Sequence, residues 1–234
     1  MDTPRTQSKR IQTSILNAAE KKVLVWMAER MPRWVTSDML TVIGTLGAVI
    51  IAVGYALSSK NINWLWLASF GFLVNWFGDS LDGTLARVRN TQRPVYGFFL
   101  DHNVDCVNEA IMFLGAGLSP FLNMSVAMTV LIAYLLLSVY VYINAHLKNE
   151  FKLTYAGMGP TELRAIVVIV NTLFIYIAPL REYSREVSLF GWPMQFHILD
   201  YIAMAIALIL LIFYFVSIVK SAKEFSRLDP PKKF

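Results

Sequence analysis

The sequence predicts an all-α integral membrane protein, with six transmembrane helices, an N-terminal amphipathic surface helix and both termini in the cytoplasm. Three observations lead there. The 234 residues are 56% hydrophobic and only 16% charged, whereas soluble domains run at roughly 45–50% apolar and about 25% charged. The apolar residues gather in six windows, each close to the roughly twenty residues that a bilayer core requires. The basic residues gather in alternate loops, as the positive-inside rule demands.

The elements follow in order. Residues 1–11 are polar and expected to be frayed. Residues 12–31 place Ile15, Leu16, Ala19, Val23, Leu24, Trp26 and Met27 at helical spacing, with Glu20, Lys21, Lys22 and Glu29 between them. That pattern fits an amphipathic helix on the membrane surface, and Pro32 ends it. The spanning windows cover residues 38–58, 62–86, 96–117, 122–146, 162–180 and 197–219. Thr36, Ser37 and Asp38 offer caps for the first. With the N-terminus in the cytoplasm, 18 of the 21 lysines and arginines fall in residues 1–36, 87–96, 146–164 and 220–234, all on the inner side. Only Lys60, Arg181 and Arg185 fall outside. The chain therefore divides into a tail and surface helix (1–36), a six-helix transmembrane domain (37–220) and a cytoplasmic tail (221–234).

The charged first 35 residues lack the compact apolar run of a cleavable signal peptide. Insertion is thus expected to use the first spanning helix. The net charge of +5 reports topology and lipid headgroups, not nucleic acid. The single cysteine, Cys106, excludes an internal disulfide and reads as a small buried hydrophobe.

Four of the eight aspartates, Asp79, Asp82, Asp101 and Asp105, fall within 27 residues, in or beside predicted spans. Ionisable groups at that depth are costly and mark function. Four clustered acids also repel one another, so they call for a cation or for arginines such as Arg87, Arg89 and Arg93. Asp79, Asp82, Gly83 and Ala86 share one helical face. Gly97, Asp101 and Asp105 share another, and Glu109 continues that stripe. A short basic loop joins the two helices, so they are expected to be antiparallel neighbours with opposed acidic faces. The glycines and alanine thin the walls into a slot. Hard oxygen ligands select Mg²⁺, Mn²⁺ or Ca²⁺ over zinc or copper. A cation beside arginines points to a diphosphate ligand, and a remaining carboxylate could take a proton from an attacking hydroxyl.

The stretch D-S-L-D-G-T-L-A-R, residues 79–87, followed by G-F-F-L-D-H-N-V-D, residues 97–105, resembles the signature of the CDP-alcohol phosphotransferase family. That signature reads D-x-x-D-G-x-x-A-R, a spacer, then G-x-x-x-D-x-x-x-D, and all eight fixed positions are present. The spacer is about one residue longer than usual and falls in a loop, where insertions are tolerated. Leu40, Thr41 and Gly44 also resemble the family's L-T-x-x-G segment, with Ser37 and Asp38 in place of its Pro-Asn. The resemblance implies a phospholipid-synthesis enzyme that transfers a substituted phosphate from a CDP-linked donor to an alcohol and releases CMP. It implies that Asp79, Asp82, Asp101 and Asp105 bind Mg²⁺ or Mn²⁺, and that Asp105 is the base for the acceptor hydroxyl. Gly83, Ala86, Arg87, Gly97 and Thr41 would bind the nucleotide. The family also implies a homodimer with an N-terminal surface helix, and the active site is expected to face the cytoplasm, in the cell inner membrane.

The family has two branches. One transfers from CDP-diacylglycerol to a small polar alcohol; the other transfers from CDP-choline or CDP-ethanolamine to diacylglycerol. His102, within D-H-x-x-D, and Glu162, within G-P-T-E at residues 159–162, resemble the second branch, where His102 would assist catalysis. The compact chain favours the first, with His146, Lys148, Lys152 and Arg164 available for a phosphate-bearing acceptor. The first branch is preferred. An ion transporter or channel would also hold intramembrane acids, but a pore needs polar residues through its depth, and these acids lie on one side.

Overall fold

The computed structural model describes residues 9–11, 17–148, 150–152, 160–189 and 192–230. In chain order these form β1 (Lys9–Ile11), α1 (Asn17–Arg30), α2 (Ser37–Leu57), α3 (Trp64–Val88), α4 (Pro94–Gly117), α5 (Met124–Lys148), β2 (Glu150–Lys152), α6 (Pro160–Tyr176), α7 (Ala178–Glu182), β3 (Ser184–Leu189), β4 (Trp192–His197) and α8 (Ile198–Leu228). Helix dominates, as expected. Among the described residues, three helices, α2, α5 and α8, are long and apolar enough to cross a membrane. The chain is a multi-pass integral membrane protein. Helices α3 and α4 reach 25 and 24 residues, but the polar groups of the aspartate signature interrupt their apolar character. Helix α6 has 17 residues and is followed by the short α7, where a single longer span was expected.

The strands were not foreseen. Strands β3 and β4 form an antiparallel hairpin before α8. Strands β1 and β2 pair in parallel, which brings the N-terminal segment to the segment after α5. Residues 12–16 of the expected surface helix lie outside the described residues, as does Gly159.

The centre of the molecule is the α2–α3 pair. Helices in a bilayer gain nothing from excluding water, so they associate through close packing of small residues. Gly47 and Gly54 of α2 and Gly71 and Gly78 of α3 supply it. A Cβ on Gly47 would stand 2.3 Å from the Asn75 amide nitrogen, and one on Gly78 would stand 2.2 Å from that of Gly44. Gly115 carries the same contact to α4, where a Cβ would lie 2.2 Å from the Ala52 Cα. Both α3 and α4 pack on α2, and they pack on it far more than on each other. The expected α3–α4 neighbour pair is therefore two helices sharing α2, with a gap between them at the aspartate end.

Helix α1 packs on α3. Leu24 and Ala28 join Val35, Leu40, Leu81 and Leu85 in one buried cluster, while Trp26 on the other face is 55% exposed. Glu20 pins the helix: Trp76 Nε1 and Thr161 Oγ1 each donate to its Oε1 at 2.7 Å. The Arg89 guanidinium donates to the carbonyls of Met31, Pro32 and Val35, tying the α1–α2 link to the end of α3. Asn90 then turns the chain with φ +54°, a left-handed conformation that asparagine tolerates.

Candidate active site

The aspartates reach a common point because each sits on a helix held by α2. Thr36 caps α2, its Oγ1 accepting from the Met39 amide at 3.2 Å. This leaves Ser37 and Thr41 on the first turns facing α3. Ser37 Oγ donates to the Asp82 carbonyl at 2.9 Å, and Thr41 Oγ1 donates to Asp82 Oδ2 at 2.7 Å. The Gly83 amide donates to Asp82 Oδ1. Asp82 is thus held by neighbouring donors.

Asp79, Asp101 and Asp105 form the closer group. Each offers a carboxylate oxygen, and these oxygens lie within 4.8 Å of one another. Oxygens bound to one ion at about 2.0–2.6 Å stand at most about twice that apart, so one hard cation could bridge all three. Thr41, Gly44, Asp79, Asp82, Asp101, Val104, Asp105 and Asn108 line a single cleft between α2, α3 and α4.

Asn108 is the polar lining residue that the sequence reading missed. It is 5% exposed, and its Oδ1 has no hydrogen-bond partner. A helix advances about 100° per residue, which puts Asn108, seven after Asp101, nearer the Asp101–Asp105 face than Glu109. Glu109 is instead hydrogen-bonded to Tyr134 of α5. The spacing held the signal, but an amide draws less notice than an acid.

One arginine reaches the cluster from a distance in sequence. Arg164 of α6 donates from Nη2 to Asp79 Oδ2 at 2.6 Å. Of the arginines nearer in sequence, Arg87 donates to Thr84 Oγ1 at 2.9 Å, and Arg93 lies 3.8 Å from the exposed Asp38 and over the Tyr96 ring.

The remaining expected residues are more scattered. His102 Nδ1 is 2.9 Å from the Phe98 carbonyl and 3.7 Å from Asp101 Oδ2. Its ring packs on Phe98 and edge-on to Tyr142, so it flanks Asp101 without lining the cleft. Gly83 faces Arg87, where a Cβ would stand 3.3 Å from Nη1, and Gly97 has nothing within 4 Å. Ala86 is half-buried, Glu162 is half-buried at the start of α6, and His146 is exposed near the end of α5. The Lys148 side chain and Lys152 side chain lie outside the described residues.

A family model described as CDP-alcohol phosphatidyltransferase matches residues 34–213. A phosphatidylinositol phosphate synthase of Cutibacterium acnes is 40% identical over 84 residues, which cover 36% of this chain and 38% of that protein. An archaetidylinositol phosphate synthase of Methanothermobacter thermautotrophicus is 27% identical over 141 residues, 60% of this chain and 68% of that protein. A protein of the same name from Pyrococcus horikoshii is 28% identical over 140 residues, 60% of this chain and 70% of that protein. The match therefore spans well under half of the first relative and about two thirds of the other two.

Proposed function

The chain belongs to the CDP-alcohol phosphatidyltransferase family of phospholipid-synthesis enzymes, and on that premise we propose that it transfers a phosphatidyl-type group from a CDP-linked lipid to a small polar alcohol, releasing CMP. The observation that carries this reading is the convergence of Asp79, Asp101 and Asp105 within 4.8 Å, in a cleft that Asp82 also lines.

The donor set fits a hard divalent cation, Mg²⁺ or Mn²⁺. Three carboxylates supply anionic oxygen, and the unpartnered Asn108 oxygen shows that the cleft's own donors leave it unsatisfied. When bound, the cation would neutralise the donor's diphosphate and stabilise the CMP leaving group. Asp79, Asp101 and Asp105 would hold it, with Asp82 lining the same cleft. Asp105 would accept the proton of the acceptor hydroxyl as that oxygen attacks the phosphorus. Thr41 would fix the Asp82 carboxylate. Gly83, Ala86, Arg87 and Gly97 would receive the nucleotide, and the open space at Gly97 is compatible with that.

The acceptor we favour is a phosphate-bearing polyol, an inositol phosphate. Arg164 supports it by carrying a cation to the edge of the aspartate cleft, a site where a planar guanidinium can bind phosphate. The matching relatives, named phosphatidylinositol phosphate synthase and archaetidylinositol phosphate synthase, support it independently. Lys148 would add positive charge on the same side, and His146 would add a polar ring there. The diacylglycerol-acceptor alternative draws on His102 and Glu162, and the position of His102 outside the cleft lining favours it less.

The corresponding architecture is a catalytic domain over residues 37–220 with six spans and both ends in the cytoplasm. Its α1 would lie on the inner surface, its active site would face the cytoplasm, and it would act as a homodimer. The test is to incubate purified protein with CDP-diacylglycerol, CDP-choline or CDP-ethanolamine against inositol phosphate, inositol, glycerol phosphate, serine and diacylglycerol, and to identify the lipid by mass. Phosphatidylinositol phosphate is the expected product. A choline or ethanolamine phospholipid would move the enzyme to the other branch. Cation flux through reconstituted vesicles without CMP release would replace the enzyme with a transporter.

A further inference from the structure

The α4 face that carries Asp101 and Asp105 continues inward through Asn108 to Met112 and Gly115. Met112 packs against the main apolar cluster, and Gly115 meets the Ala52 backbone. Asn108 is therefore the last polar group on that face before closely packed apolar structure begins. It lines the same cleft as the aspartates and is 5% exposed. A buried amide oxygen is normally hydrogen-bonded, and leaving it bare is costly. Its Oδ1 nevertheless has no partner. Among the described residues only one other buried side-chain atom shares that condition, Oδ1 of Asn75. Asn75 has an evident structural task, since its Nδ2 donates to the Gly44 carbonyl at 3.0 Å inside the α2–α3 contact, and it does not line the cleft.

We propose that Asn108 is a further cation-binding residue, contributing its side-chain oxygen to the coordination sphere of the divalent ion between Asp79, Asp101 and Asp105. This rests on the metal-dependent reading above. An amide oxygen is a hard neutral ligand that suits Mg²⁺, Mn²⁺ or Ca²⁺ and adds no further charge to four crowded acids. From the inner wall of the cleft it would hold a bound ion from the side opposite the cytoplasmic mouth.

The test is Mn²⁺ binding to purified protein without substrate, read from the loss of the free-ion electron paramagnetic resonance signal, together with thermal unfolding in detergent. Asn108→Leu is expected to weaken Mn²⁺ binding about tenfold or more while melting at or above the wild-type temperature, because an apolar group replaces an unpartnered polar one. Asn108→Asp is expected to bind Mn²⁺ more tightly than wild type. A folded Asn108→Leu protein with wild-type Mn²⁺ affinity overturns the inference and marks the residue as structural. If Asn108→Leu does not fold, Asn108→Asp decides, and equal or weaker binding overturns the inference. Wild-type protein that binds no Mn²⁺ at all sinks the metal reading itself, an outcome distinct from the others.

Discussion

Arg164 brings one positive charge to a cleft lined by four carboxylates. Its Nη2 sits 2.6 Å from Asp79, and the two residues are 85 positions apart. A charge-assisted bond of this kind contributes about 1.5–3 kcal/mol, or roughly 10- to 100-fold in a binding constant. If the same guanidinium also receives the acceptor's phosphate, Arg164→Gln will raise the KM for inositol phosphate by about that factor. The KM for the CDP-linked donor will change much less. Equal KM values for the acceptor in both proteins would remove Arg164 from the acceptor site. The aspartates themselves were legible because their spacing is fixed within two helices, where backbone geometry alone decides which side chains share a face. Arg164 was visible only as one basic residue among several. Its bond to Asp79 depends on how α6 lies against α3, which no local pattern encodes. Asn108 lay in between: its place on the face was computable, but its missing hydrogen-bond partner was not.

Among the helices, the α2–α3 contact sets the distances on which the cleft depends. Gly47→Ala would drive a methyl to within 2.3 Å of the Asn75 amide nitrogen. Forcing bulk into such a contact costs about 1–3 kcal/mol. The variant should melt several degrees lower in detergent and lose activity through displaced aspartates. Gly97→Ala meets nothing within 4 Å, so its melting temperature should match the wild type. Equal melting of both variants would contradict the close α2–α3 packing. The sequence assigns Gly83, Ala86 and Gly97 to the slot walls and says nothing of Gly47, Gly54, Gly71 and Gly78, which serve helix packing. Two helices with a short loop were expected to pair with each other. The shared packing on α2 follows from glycines on both α2 and its partners, a tertiary match that hydropathy does not report. The β3–β4 hairpin escaped notice because its two six-residue strands lie between apolar windows, where a loop was the default reading.

For the molecule as a whole, the alternation of basic segments predicts a definite sidedness. In a Cys106→Ala background, Lys60→Cys and Lys223→Cys should be labelled by a membrane-impermeant maleimide from opposite faces of sealed vesicles. Lys223 should lie on the side of the aspartate cleft. Labelling of both from one face would contradict the six-span arrangement. Among the described residues, three helices are long and apolar enough to cross by themselves. The remaining spans would include α3 and α4, whose polar residues form the cleft, so the function of the molecule weakens its own hydropathy signal. The central claim is that these carboxylates carry out cation-dependent cleavage of a CDP-linked donor. The most direct measurement is CMP release from CDP-diacylglycerol with inositol phosphate present, for wild type and Asp105→Asn, with Mg²⁺ or Mn²⁺ and then with excess chelator. Wild type should release CMP only with the cation. Asp105→Asn should fall by about 10²- to 10⁴-fold while keeping the wild-type melting temperature. CMP release that survives the chelator, or that Asp105→Asn retains in full, would contradict the account.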